Sequence, residues 1–156
     1  MSNVANRLAA LGRLPEALAL REAALERRKA KLGPDHPETL KSMNDLAVSY
    51  VADGRHSEAL TLREETLMRQ KSKLGANRPH TSSTNYDIAC THALMIVKAQ
   101  DDSKQADLAM NWLRQAVAAG YKNVAHMKKD TDLDPLRERE DFKKLLAELE
   151  AKPEKK

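Results

Sequence analysis

Sliding the sequence against itself by 42 residues brings identical residues together along most of its first half. Gly12-Arg13 falls on Gly54-Arg55, Glu16-Ala17-Leu18 on Glu58-Ala59-Leu60, and Leu20-Arg21-Glu22 on Leu62-Arg63-Glu64. The same offset pairs Lys31-Leu32-Gly33 with Lys73-Leu74-Gly75, Pro37 with Pro79, Thr39 with Thr81, and Asp45-Leu46-Ala47 with Asp87-Ile88-Ala89. One offset held over so many positions is an internal repeat. Each copy is then a supersecondary unit that buries its apolar face against its neighbours.

Each unit reads as two helices. Residues 39–52 place Leu40, Met43, Leu46, Ala47, Tyr50 and Val51 at i, i+3, i+4, i+7 spacing, one buried stripe of a helix. Gly54 ends it as a residue that accepts positive φ. The second helix, 56–74, offers Ala59, Leu60, Leu67 and Leu74 to the core, and Gly75 ends it. Pro15 and Pro79 sit where a helix start tolerates a missing N–H, and Gly33 closes the second helix of the first unit. Alanine at 17, 47, 59 and 89 lets paired helices approach closely. The pattern predicts helices at 2–11, 15–32, 38–53, 56–74, 79–98 and 104–119.

After Lys98 the register slips. Leu108-Ala109-Met110 matches Glu58-Ala59-Leu60 at an offset of 50, so the polar run 99–103 reads as an inserted loop with Asp102 or Ser103 as N-cap. Gly120 closes the sixth helix. Beyond it come a short helix at 124–128, a turn through Asp130–Pro135 leading into a helix entered at Pro135, and a last helix at 140–151. The domain reading is repeats at 1–36, 37–78 and 79–120, a helical cap at 121–152 and a frayed tail at 153–156.

Composition agrees with helix throughout. The 156 residues predict one domain, and only Tyr50, Tyr86, Trp112, Tyr121 and Phe142 are aromatic, which leaves a β-sheet little of its usual material. The 27 basic and 23 acidic residues are interspersed, giving +4 without a basic face interleaved with aromatics, so no nucleic-acid partner is expected. No apolar run reaches the ~20 residues of a membrane span, so no membrane partner is expected either. A single cysteine, Cys90, forms no intramolecular disulfide, and with no secretory signal the reading is cytoplasmic.

Catalytic signals are missing. Histidines 36, 56, 80, 92 and 126 show no metal-ligand spacing, no Gly-rich phosphate loop occurs, and the H-R-D and D-F-G kinase signatures are absent. Asp130, Asp132, Asp134 and Asp141 mimic four positions of a calcium loop, but Pro135 stands where such loops need Gly and the twelfth position is Asp rather than Glu. A capped turn explains them better. No catalytic residue, metal or cofactor is expected, Cys90 reads as a small hydrophobe, and Trp112 and Phe142 read as anchors of the tail.

The segment Leu32-Gly33-Pro34-Asp35-His36-Pro37-Glu38-Thr39, with Ser42-Met43-Asn44-Asp45-Leu46-Ala47 and Tyr50, resembles the 42-residue tetratricopeptide repeat of kinesin light chains. The tail resembles the end of repeat arrays in large bacterial serine/threonine protein kinases. It does so through Ala109–Gly120, Asp132-Leu133-Asp134-Pro135-Leu136-Arg137 and Asp141-Phe142. Arg21 and Arg63 replace an aromatic that many such repeats carry, and His92 stands where Tyr50 stands one repeat earlier.

The resemblance implies an all-α, right-handed solenoid of antiparallel hairpins, a non-catalytic scaffold that binds a peptide or partner segment in its concave groove. Carried over by position, it assigns Asn6, Lys41, Asn44, Val48, Ser83, Tyr86 and Cys90 to peptide binding. These do not reproduce the Lys/Asn clamp of chaperone-tail binders. A regulatory segment of a kinase is an alternative. So is self-association to a homo-oligomer through Val4, Leu8 and Leu11, which the incomplete first repeat leaves under-covered.

Overall fold

The computed structural model describes residues 2–74, 79–96 and 102–151. Among them every regular element is helical: α1 (Ser2–Ala10), α2 (Leu14–Leu32), α3 (Pro37–Ala52), α4 (His56–Leu74), α5 (Pro79–Ile96), α6 (Asp102–Ala118), α7 (Val124–Lys129), a 3-10 helix (Thr131–Leu136) and α8 (Glu140–Ala151). Contacts divide the chain into two compact units, Met1–Gly75 and Ala76–Lys156, where length alone predicted one domain. No described helix is long and apolar enough to cross a membrane.

In the first unit the repeat dictates the turns. Gly12 (φ +75°) and Gly54 (φ +76°) take the left-handed conformation that a side chain would strain. Arg13 N–H then reaches Leu8 O at 2.9 Å, and Arg55 N–H reaches Tyr50 O at 2.8 Å, closing the same helix-ending motif twice. The next helix opens on the same ion pair in both places, Arg13 with Glu16 and Arg55 with Glu58. Between α2 and α3, His36 Nδ1 accepts the Glu38 amide at 3.2 Å and Thr39 Oγ1 donates to Gly33 O at 2.9 Å. The turn histidine is thus an N-cap.

Three consecutive helices, α2 to α4, meet around Leu18, Leu25, Leu40, Met43 and Leu46, with Tyr50 and Leu62 packed against them, and α1 packs on α2. Ala47, Ala59 and Ala17 are fully buried as expected, and Ala5, one repeat before Ala47, joins them. Leu60 is only half-buried. The Leu74 side chain lies outside the described residues. Where the aromatic is missing, Arg21 does the joining: its guanidinium donates to Asn6 Oδ1 on α1 and to Asp45 O on α3. One helical turn pair further on, Arg28 donates to Ser42 Oγ at 2.7 Å.

The second unit has one core, in which Ala89, Ala93, Ala109, Met110, Leu113 and Ala116 of α5 and α6 meet Met127, Leu133, Leu136 and Phe142 of the C-terminal segment. Trp112, Leu146 and Leu149 pack against it half-buried. Arg139 fixes the start of α8 by donating to Asp141 Oδ1 at 2.9 Å and Asp107 Oδ1 on α6 at 2.7 Å. Its hydrogen bond holds the Asp141 carboxyl below the usual carboxylate range.

Two details of the tail differ from expectation. The helical turn starts at Thr131 rather than Pro135, because Asp130 caps it, Oδ1 accepting the Asp132 amide at 3.0 Å. Helix α6 already includes Asp102 and Ser103, so neither precedes it as N-cap. Residues 97–101, with most of the expected inserted loop, and the tail 153–156 lie outside the described residues.

Met43 and Leu136 are fully buried, whereas Met68 is 63% exposed. Met43→Ala and Leu136→Ala are each expected to cost about 2–5 kcal/mol, and Met68→Ala close to nothing. Urea denaturation followed by circular dichroism checks this.

Candidate functional site

Helix α3 shows what the repeat leaves open. At 100° per residue, Lys41, Asn44 and Val48 share one side of it. Lys41 is exposed and forms no ion pair among the described residues, and Val48 is 55% exposed. Between them Asn44 is half-buried, and its Oδ1 is shielded from solvent without a hydrogen-bond partner. An unpaired buried acceptor is costly, and a ligand N–H that reached it, or an amide flip that aimed the NH2 inward, would remove the cost. Asn6, exposed on α1, is joined to α3 through Arg21, so four of the assigned residues stand on α1 and α3 of one unit.

The other three stand on α5 of the second unit and meet a different fate. Ser83 is exposed, its hydroxyl donating to Pro79 O at 3.0 Å. Tyr86 and Cys90, one repeat after Asn44 and Val48, are 3% and 5% exposed. The chain's own segment from Tyr121 to Leu136 covers them. Tyr86 stacks flat on Tyr121, ring centroids 4.3 Å apart and 5° from parallel, and His126 tilts against its edge at 5.5 Å. Tyr86 Oη donates to Asp130 Oδ2 at 2.8 Å, and Cys90 Sγ lies 3.7 Å from the same oxygen. Tyr121, His126 and Asp130 were not singled out as neighbours of α5 from sequence. The available signal was the apolar pair Leu133 and Leu136, which needs a partner face.

Electrostatics keeps this cluster protonated. Burial and then the neighbouring Cys90 push the Tyr86 hydroxyl far above its usual value; burial pushes Tyr121 up to about 12. Burial and the Asp130 carboxylate push the Cys90 thiol well up. Cys90, Asp130 and Asp132 have donor atoms within 4.8 Å of one another, the spacing a metal cage would need. Asp130 already accepts from Tyr86 and the Asp132 amide, however, and a thiol held protonated is a poor ligand. The arrangement suits a hydrogen-bonded clasp better than a cation. Asp134 pairs with Arg137, and Asp141 with Arg139 and Arg114, so the calcium-like spacing is spent on ion pairs.

The native state thus retains protons on Cys90, Tyr86 and Tyr121 that the unfolded chain releases near pH 9 to 10. Stability is therefore expected to be intact below about pH 8.5 and to fall as pH rises through that range, with a smaller slope in Tyr86→Phe/Tyr121→Phe. Urea midpoints measured from pH 7 to 12 test the sign and the slope.

Against known proteins, the tetratricopeptide repeat family profile matches residues 1–72. No curated protein matches the chain in sequence at a significant level. Among solved structures, the fold is similar to the nearly identical TPR-like repeats of a candidate kinesin light chain from Podosopora anserina. That likeness has a TM-score of 0.69 and 23% identity and covers 96% of this chain and 72% of that one. It is also similar to BtubC (BKLC) from P. vanneervenii, with a TM-score of 0.70 and 15% identity over 96% of this chain and 61% of that one. Repeat folds of this kind serve generally as protein–protein interaction scaffolds. Residues 1–72 thus match the tetratricopeptide repeat family, and the fold is that of an all-α repeat solenoid similar to the repeats of kinesin-light-chain-like structures.

Proposed function

We propose that the α1–α3 face of the first unit docks a segment of a partner protein, with no catalysis by this chain. The observation that carries the reading is Asn44, an amide whose shielded oxygen has no partner, set between an unpaired lysine and an exposed valine. Asn44 meets the backbone of the bound segment, Lys41 a carboxylate, Val48 an apolar side chain, and Asn6 extends the surface along α1. Ser83, on α5 of the second unit, holds the repeat position of Lys41, while Tyr86 and Cys90 hold the chain's own tail. In this reading repeats occupy 1–36, 37–78 and 79–120, residues 121–152 are the cap, and the protein works in the cytoplasm.

Peptides selected from a random library against the intact chain, then measured by fluorescence anisotropy, test it. Lys41→Ala/Asn44→Ala is expected to weaken the selected peptides by about tenfold or more, since each charged or shielded hydrogen bond is worth about 1–3 kcal/mol. Tyr86→Phe is expected to leave them unchanged. Equal affinity in the double variant sinks the reading.

Val4 in the first turn of α1 and Leu11 just beyond its last residue, 54% and 73% exposed, favour a second reading in which copies of the chain associate along α1. Light scattering across concentration is then expected to show a rising mass that Leu11→Glu abolishes; a constant monomer mass removes the idea.

A further inference from the structure

Arg21 and Arg28 stand two turns apart on α2, with only the methyl group of Ala24 between them on that side. Both line one small cavity, whose opposite wall is Ser42 and Asp45 of α3 and to which Ala5 of α1 contributes. Its volume of about 10 Å³ admits one oxygen atom rather than a whole ligand.

The charge of these two arginines is not met within the chain. Arg13, Arg55, Arg69, Arg137 and Arg139 each reach a carboxylate at 2.9 Å or less. Arg21 and Arg28 are half-buried, yet among the described residues neither is ion-paired. Their acceptors are all neutral: Asn6 Oδ1 and Asp45 O for Arg21, Ser42 Oγ for Arg28. Of the five N–H donors on each guanidinium, Arg21 thus uses two and Arg28 one among the described residues. Bridging α1 to α3 asks only for N–H donors, which a neutral glutamine also has; the charge and the idle donors are surplus to it. Asp45 is the one acidic residue lining the cavity, and Lys41, exposed and without an ion pair among the described residues, stands one turn before it on α3. Three cations to one anion leave these four residues at +2. A phosphate monoester, with a charge of about −2 and three acceptor oxygens, matches that surplus where a carboxylate leaves half of it. Guanidinium forks are the donors best shaped for it. No aromatic ring lines the cavity for a base to stack on, and the neighbouring Asn44 suits a peptide backbone, so a protein is the favoured carrier.

We infer that Arg21 and Arg28 receive the phosphate of a phosphorylated side chain on a partner protein. One oxygen enters the cavity beside Ser42, and the others are held at its mouth by the idle N–H groups of the two guanidinia. This rests on the docking reading of the α1–α3 face for the carrier of the phosphate and adds what the docked segment bears; the two fail in different variants.

The test uses the intact ¹⁵N-labelled chain and three blocked pentapeptides that place phosphoserine, glutamate or serine between Gly-Ala and Ala-Gly, with inorganic phosphate and an oligothymidylate as further probes. The side-chain Nε–H resonances of Arg21 and Arg28 are the readout. The phosphoserine peptide is expected to shift both saturably, the glutamate peptide and inorganic phosphate to bind about tenfold more weakly, and the serine peptide and oligothymidylate to shift neither. Arg28→Gln, which keeps a donor for Ser42, is expected to weaken the phosphoserine peptide by about tenfold with the circular dichroism unchanged. Asn44→Ala is expected to leave it bound, so that loss of the docking reading and loss of this one are told apart. Absent or unsaturable shifts with the phosphoserine peptide overturn the inference. So does binding of the glutamate peptide, inorganic phosphate or the oligothymidylate as tight as that of the phosphoserine peptide, or unaltered affinity in Arg28→Gln.

Discussion

Each of the hairpins α1–α2, α3–α4 and α5–α6 buries one alanine from both of its helices, and the rest of the architecture depends on that. Ala5 and Ala17, Ala47 and Ala59, and Ala89 and Ala109 contribute one small side chain from each helix of a pair, and all six are at most 1% exposed. A methyl group at the crossing lets two helix axes approach near the lower end of the usual 8–10 Å. A larger residue would push the axes apart and disturb the side chains packed around them. The paired helices are held close, and the side chains that specify partners are relegated to the surfaces away from the crossing.

Those surfaces diverge between copies of the same repeat. On α3 the side bearing Lys41 and Val48 meets solvent, whereas the corresponding side of α5 is sealed by Tyr121, Asp130 and Leu133. Identical backbone geometry therefore serves two ends. One copy keeps an amide oxygen unsatisfied beside an unpaired cation; the other ties the Tyr86 hydroxyl to a carboxylate and its ring to a phenol drawn from its own chain. Sequence divergence at these positions, Asn44 to Tyr86 and Val48 to Cys90, tracks the change of environment from half-open to closed.

Most of the helical layout was legible because the 42-residue offset repeats both the apolar stripe and its punctuation. Gly12 and Gly54, Arg13–Glu16 and Arg55–Glu58 give the same local structure wherever they recur. Periodicity tells which side of a helix is buried in its own hairpin, but not which distant segment covers another side. That is why Tyr86 and Cys90 read as open from sequence: the segment over them lies more than 30 residues downstream and has no counterpart in the earlier repeats. In the sequence Arg21 stands only where an aromatic is missing; its part in linking α1 to α3 needs three helices at once.

The segment that seals α5 also sets a rule for how such a chain can change its number of repeats. Tyr121 through Leu136 is cut to fit α5 and α6 specifically, through Tyr86, Cys90 and the shared core. A duplicated hairpin placed after α6 would inherit neither its tyrosine partner nor its buried leucines, and would separate the seal from the helices it matches. A copy of residues 37–78 placed beside its original meets no such obstacle, since its turns and alanines are already those of its neighbour. Growth and loss of repeats are therefore easy upstream of α5 and obstructed behind it, so the last hairpin and its seal evolve as one block.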